Sequence, residues 1–248
     1  MKKLFVLLLA FSAFHFAQAQ DSETKPKTPI GGRPNIPSDL SFEFGFNQLN
    51  NRPEDLSTRF MGSRTFNVYY QVPINLFGNA SGFTFNPGIG IATDKLQFND
   101  NQNLFINPTL GAESSRLIPV SEVYGAGITL EKNNFTANYL EVPLDFRYHL
   151  NKSNYAKSFR FTLGGKVGLL YNAHSKIGYE TAAAGARKIK DAQNFGLEKL
   201  RYAVTFKAGT PGFYFWMNYY LNPMFQEGRG PFATEASQIN FGVAVTVF

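Results

Sequence analysis

Gln238-Ile239-Asn240-Phe241-Gly242-Val243-Ala244-Val245-Thr246-Val247-Phe248 closes the chain, and its reading decides the fold. Successive side chains of a strand point to opposite sides. Ile239, Phe241, Val243, Val245 and Val247 therefore make an apolar face, and Gln238, Asn240, Gly242, Ala244 and Thr246 a polar or small one. A final strand that ends on an aromatic residue, behind an export signal and several runs of the same kind, has the form of the closing strand of a bacterial outer-membrane barrel.

Seven upstream runs repeat the pattern. Leu40, Phe42, Phe44 and Phe46 alternate with Ser41, Glu43, Gly45 and Asn47. From about 65 to 76, Phe66, Val68, Tyr70, Val72 and Ile74 oppose Asn67, Tyr69 and Gln71, and from about 82 to 98, Phe83, Phe85, Ile89 and Ile91 oppose Thr84, Asn86, Gly88, Gly90 and Ala92. The fourth run, about 138 to 150, sets Leu140, Val142, Leu144, Phe146 and Tyr148 against Glu141, Asp145, Arg147 and His149. The fifth, about 159 to 173, sets Phe161, Leu163, Val167, Leu169 and Tyr171 against Arg160, Thr162, Gly164, Lys166 and Asn172. Leu200 to Lys207 and the doubly aromatic Phe213 to Leu221 complete the set. Eight strands are the smallest even number for such barrels. The expected fold is all-β: a transmembrane antiparallel up-and-down β-barrel of eight strands with both termini periplasmic. A soluble sandwich or ligand barrel would use the same alternation with its apolar face inward. Here the glycines lie among Asn, Thr and charged residues, which suits a crowded lumen, while the opposite faces are nearly all Phe, Leu, Ile, Val and Tyr, which suits lipid.

The start of the chain supplies the address. Lys2 and Lys3 precede an apolar stretch from Leu4 to about Phe16, and Ala17-Gln18-Ala19 has the small-x-small form of a cleavage site. Residues 1–19 are expected to be a signal peptide, residues 20–38, rich in Pro and Gly, a flexible periplasmic lead-in, and residues 39–248 the barrel. The absence of cysteine excludes a lipid-anchored lipoprotein, a disulfide framework and thiol catalysis. With 26 Phe and 12 Tyr but 17% charged residues, the chain has no apolar run after the signal long enough for a spanning helix. The net charge of +6 falls to +4 without Lys2 and Lys3, and the remaining cations are scattered, so no nucleic-acid partner is expected.

Connections alternate in length. Turn residues join the second and third strands near Gly78-Asn79, the fourth and fifth at Asn151-Lys152-Ser153-Asn154, and the sixth and seventh at Gly209-Thr210-Pro211-Gly212. Longer loops fall at about 50–63, 99–136, 174–198 and 222–236. Short periplasmic turns and long external loops are the rule for these barrels. Val120 to Leu130 reads either as a hairpin raised above the membrane or as two more strands of a ten-strand barrel. Pro73, Pro87 and Pro143 stand inside strands and call for bulges or ladder breaks, because a closed barrel has no free edge.

An eight-strand barrel is just wide enough inside for its own side chains. Glu43, Glu141, Asp145, Arg147, Arg160, Lys166, Arg201 and Lys207 are the expected inward charges, with Tyr69, Tyr139, Tyr214, Trp216 and Tyr220 as bulk. Enclosed charges should pair, because an isolated one is costly. No catalytic residue, metal ligand or cofactor is expected. Only His149 and His174 remain after the signal, and the Ser beside His174 faces the other way; His174 with Glu180 is the one place where hydrolytic chemistry could be sought. Gly88-x-Gly90 and Gly164-Gly165-Lys166 lie within strands and lack the helix that a phosphate loop needs.

Tyr139-Leu140-Glu141-Val142-Pro143-Leu144 resembles the YLEIPL signature of the PorT-like outer-membrane β-barrels of Bacteroidota, with Val142 in place of the isoleucine. The resemblance implies an integral outer-membrane barrel and, through the family's name-giving member, a link to type IX protein secretion. Two function classes follow: a non-enzymatic accessory or scaffold component of an envelope assembly, or a surface-binding or small-solute-handling barrel acting through its long loops. Expected partners are outer-membrane lipid and lipopolysaccharide, which Arg187, Lys188 and Lys190 could touch from a loop, together with other envelope proteins.

Overall fold

The computed structural model describes residues 38–78, 81–181 and 185–247. The expected signal peptide, nearly all of the lead-in, Asn79 and the terminal Phe248 lie outside the described residues. The strands are β1 (Asp39–Asn50), β2 (Arg64–Gln71), β3 (Ile74–Leu76), β4 (Phe83–Leu96), β5 (Gln102–Asn107), β6 (Gly111–Pro119), β7 (Thr129–His149), β8 (Arg160–Thr181), β9 (Gly185–Ala192), β10 (Leu200–Gly209), β11 (Phe213–Tyr220) and β12 (Ser237–Thr246). A one-turn helix α1 (Val120–Tyr124) follows β6.

Pairing runs β10-β11-β12-β1-β2-β4-β7-β8, and β8 pairs back onto β10, so the sheet closes into a barrel of eight staves, with β3 continuing the β2 stave. All pairs are antiparallel, and the first and last strands meet, with Ser41 opposite Thr246 and Asn50 opposite Ser237. Closure leaves no stave with an unpaired edge, the condition for a sheet to stand in lipid. The prolines sit at interruptions of the ladder. Pro73 separates β2 from β3, and the β4–β7 register breaks between Pro87–Leu144 and Gly90–Glu141, the gap that holds Pro143.

Several staves change character at one level. Along β7, outward Tyr148, Phe146, Leu144, Val142 and Leu140 give way to Asn138, Thr136, Asn134 and Lys132, while inward Arg147, Asp145, Glu141 and Tyr139 give way to Ala137 and Phe135. On β4 outward Ile89 and Ile91 are followed by Thr93 and Lys95, and inward Asp94 by Leu96. On β1 inward Glu43 and Asn47 are followed by Leu49. Below this level the wall faces hydrocarbon and must be apolar outside. Above it the wall faces water, and the apolar side turns in. A hydrogen-bonded belt marks the boundary: Thr93 donates to Asn138 at 2.9 Å, and Asn138 to Asn172 at 3.2 Å. A bulge in β8 at the same level accommodates Tyr171.

Above the boundary the long connections are folded. The hairpin lies upstream of the expected place: β5 and β6 form it, and Val120 to Tyr124 is helical. The two-stranded sheet is separate from the barrel, so the ten-strand alternative is excluded. Residues 129–136 and 174–181, expected as loop, continue β7 and β8, and β9 adds to β8, so Arg187, Lys188 and Lys190 lie on a strand.

Candidate functional site

The barrel interior holds every Asp, Glu, Lys and Arg that is buried among the described residues: Asp39, Glu43, Asp94, Glu141 and Asp145 against Arg147, Arg160, Lys166, Arg201 and Lys207. Five carboxylates face five cations, so the enclosed charge sums to zero. They stack in three tiers along the axis.

At the end with the short turns, the Arg147 guanidinium lies 2.6 Å from Asp39 and that of Arg160 lies 3.7 Å from the same carboxylate. His149 stacks on Tyr155 beside them, 4.2 Å between centroids. In the middle tier Lys207 bridges Glu43 at 2.9 Å and Asp145 at 3.1 Å. Asn67 donates to Glu43 and Gln71 to Asp145, so each carboxylate also accepts from a neutral neighbour. The upper tier is centred on Glu141, which accepts from Lys166 at 3.0 Å, from Arg201 Nε at 2.9 Å and from the Tyr69 hydroxyl. Arg201 reaches on to Asp94 at 2.5 Å, and its guanidinium lies 3.4 Å from the Tyr139 ring centroid. A charge removed from water is tolerated when hydrogen bonds and an opposite charge replace its hydration, and each of these ten groups has both or shares a partner that does.

Small residues make room for this filling. Gly242 is opposite both Gly45 and Trp216 across its two ladders. A Cβ on Gly45 would come within 2.8 Å of the Trp216 ring. Gly168 lies between Glu141 and Arg201, where a Cβ would meet both side chains at 3.0–3.1 Å. A small pocket of about 10 Å³ beside Arg147, Arg160 and Lys207 has room for about one water.

Over the upper tier sits an apolar lid. Leu56, Phe98, Leu104, Phe135, Phe195 and Leu197 are fully or almost fully buried together, joined by Leu49, Leu96, Met224 and Phe225. Each of the four long connections contributes, and backbone bonds lace them: Ser115 donates to Arg229 at 2.8 Å, Gln226 to Gly196 at 2.8 Å and Arg59 to Gln97 at 2.7 Å. Among the described residues the tiers and the lid lie one above the other inside the barrel, and their side chains are almost wholly buried.

All eight charges expected from the sequence point inward and meet in these tiers. Asp39 and Asp94 were not expected, although the alternation marks them: Asp39 shares parity with Glu43, and Asp94 with Ala92 and Asn86. The lid was not expected, because its residues are scattered over four connections. His174 and Glu180 are not brought together. They lie six residues apart along one extended strand, roughly 20 Å. His174 instead meets Asn172 at 3.1 Å. Among the described residues no group of three His, Asp or Glu is placed to hold a metal ion.

A family model described as an outer membrane protein beta-barrel domain matches residues 16–226. The chain belongs to this family. It is an outer-membrane protein, and the apolar wall of the barrel is its lipid-facing surface. No curated protein matches this outer-membrane barrel in sequence. Among solved structures it is similar to Ail, the attachment invasion locus protein of Yersinia pestis, solved with the heparin analogue sucrose octasulfate: 12% identity, 84% of this chain and 97% of that one, TM-score 0.36. A mutant porin of Rh. blastica is similar at 10% identity, over 84% of this chain and 99% of that one, with a TM-score of 0.19.

Proposed function

We propose that this outer-membrane barrel is a non-enzymatic accessory or scaffold component of an envelope assembly, delivered by the export signal at residues 1–19. The observation that carries the reading is the burial of the interior: among the described residues three ionic tiers and an apolar lid occupy it, which speaks against a path for solute and leaves the outer wall and the folded loops as the surfaces available for work. The six-residue motif fits this reading. Its inward members Tyr139 and Glu141 belong to the upper tier, Pro143 sits at a ladder break, and Leu140, Val142 and Leu144 face lipid. None is presented to a substrate. The resemblance to PorT-like barrels favours a protein-secretion machine of the type IX kind as the assembly.

A surface-binding barrel is the second reading, favoured by the folded loops with their own core. Handling of small solutes loses support from the same buried interior. Affinity purification of the tagged full-length protein from outer membranes in mild detergent separates the readings. Recovery of other envelope proteins in fixed stoichiometry is the expected result. A lone, heat-modifiable monomer would refute the assembly reading.

A further inference from the structure

The outward face of the sheet just above the lipid boundary is basic. Arg64 is the register partner of Lys95, Lys95 of Thr136, and Thr136 of His174. One step higher, Asn134, Lys176 and Lys190 lie in a row, and above them Lys132, Gly178 and Lys188. Six cations therefore cover one wall formed by β2, β4, β7, β8 and β9. Among the described residues none of the six forms a salt bridge. Among the described residues these three rows hold no carboxylate: Glu180 stands in the next row, opposite Thr129 and Ala186, and exposed Glu131 lies in the bulge beside Lys132. Arg187, the cross-strand partner of Tyr179, belongs to the other face of β9.

Two of the cross-strand pairs, Arg64 with Lys95 and Lys176 with Lys190, set like charges directly opposite each other, an arrangement that destabilises a sheet. The repulsion is felt locally. Burial and then the neighbouring Arg64 and Lys132 hold the Lys95 ammonium below its ordinary range, and burial with Lys190 and Lys176 does the same for His174. Anions bound along such a wall would relieve this repulsion.

Position identifies the anion. Arg64 is two residues beyond lipid-facing Phe66, Lys95 four beyond Ile91 and Lys176 five beyond Tyr171, which is roughly 7 to 17 Å along strands that are themselves tilted. Projected through the strand tilt these heights are roughly 5 to 13 Å, so the lowest cation stands within the headgroup layer, about 5–7 Å deep on each side, and the long side chains above it can reach down into it. We propose that this wall is a docking site for the phosphate groups of the outer-leaflet glycolipid, with Arg64, Lys95, Lys176 and Lys190 as the principal contacts and Lys132 and Lys188 above them. The acyl chains of the same molecule would lie on the apolar wall directly below, so one ligand satisfies both surfaces. The inference does not depend on the assembly reading.

The test uses the full-length protein purified in detergent, with bis-phosphorylated lipid A as the probe and native mass spectrometry as the readout. Lipid A should remain bound to the wild type and bind at least about tenfold more weakly to R64Q/K95Q/K176Q/K190Q. These four side chains lie outside the lumen, and an unchanged heat-modification midpoint would show that the variant is folded. Chemically dephosphorylated lipid A should bind the wild type no better than intact lipid A binds the variant. Equal binding of intact lipid A by both proteins would overturn the proposal, as would undiminished binding of the dephosphorylated lipid. Displacement by inorganic phosphate at an equal phosphate concentration would overturn it in favour of a free-anion site.

Discussion

The lower interior of the barrel is held by ion pairs and the upper interior by hydrocarbon, although the same staves line both. The difference follows from what lies outside. Where lipid is the solvent, the outward positions must be apolar, alternation leaves the inward ones polar, and the polar filling has to neutralise itself. Where water is the solvent, the alternation reverses and an ordinary apolar core forms. The crossing point, between Leu140 and Asn138 on β7 and between Ile91 and Thr93 on β4, locates the membrane boundary without reference to any other protein.

The largest expected effect comes from breaking the charge balance of the lower region. Glu141→Ala would strand Lys166 and leave Arg201 with Asp94 alone, and leaving buried charge unpaired typically costs about 3–5 kcal/mol. The temperature at which the folded band is lost on electrophoresis in SDS should fall sharply. Adding Lys166→Met to that variant removes a cation together with the carboxylate and should restore part of the loss. A double variant no better than the single one would count against neutrality as the governing condition.

The upper region should fail differently. Phe135→Ala or Leu197→Ala opens a cavity in the lid, at a cost of about 2–5 kcal/mol by analogy with other core truncations. Loop cleavage in limited proteolysis should accelerate while the barrel remains heat-modifiable. Simultaneous loss of both would mean that lid and barrel are one cooperative unit. A substitution on the lipid side, Leu144→Arg, places a charge near mid-membrane and should cost about 2–4 kcal/mol when folding into bilayers is titrated with denaturant. The smallest change is expected for Lys199→Ala. Its contact with Glu113, at 3.8 Å, joins two largely exposed side chains, and such pairs contribute little. A clear stability loss there would show that the loops are more tightly coupled than their contacts imply.

The eight staves were legible because inside the membrane each obeys a strict two-residue period with one sign, from Ser41 to Asn47 and from Glu141 to His149. The same rule hid what lies above. Past Asn138 and Asn172 the alternation continues but changes sign, so Phe135 and Ala137 no longer match the apolar face begun by Leu140, and the strand reads as finished. The inward charges could be read one by one. Their pairing could not, because partners such as Arg147 and Asp39 are 108 residues apart and meet only through closure. The lid is least legible: Leu56, Leu104, Phe195 and Phe225 come from four different connections, none of which carries a two-residue period that runs into the lid.

The most direct test of the filled interior is electrical. Full-length protein reconstituted into a planar bilayer, with insertion verified independently, should leave the membrane at its baseline conductance. Stable ohmic steps that disappear when the protein is omitted would contradict it, since they require a continuous water path through tiers and lid that this structure does not contain.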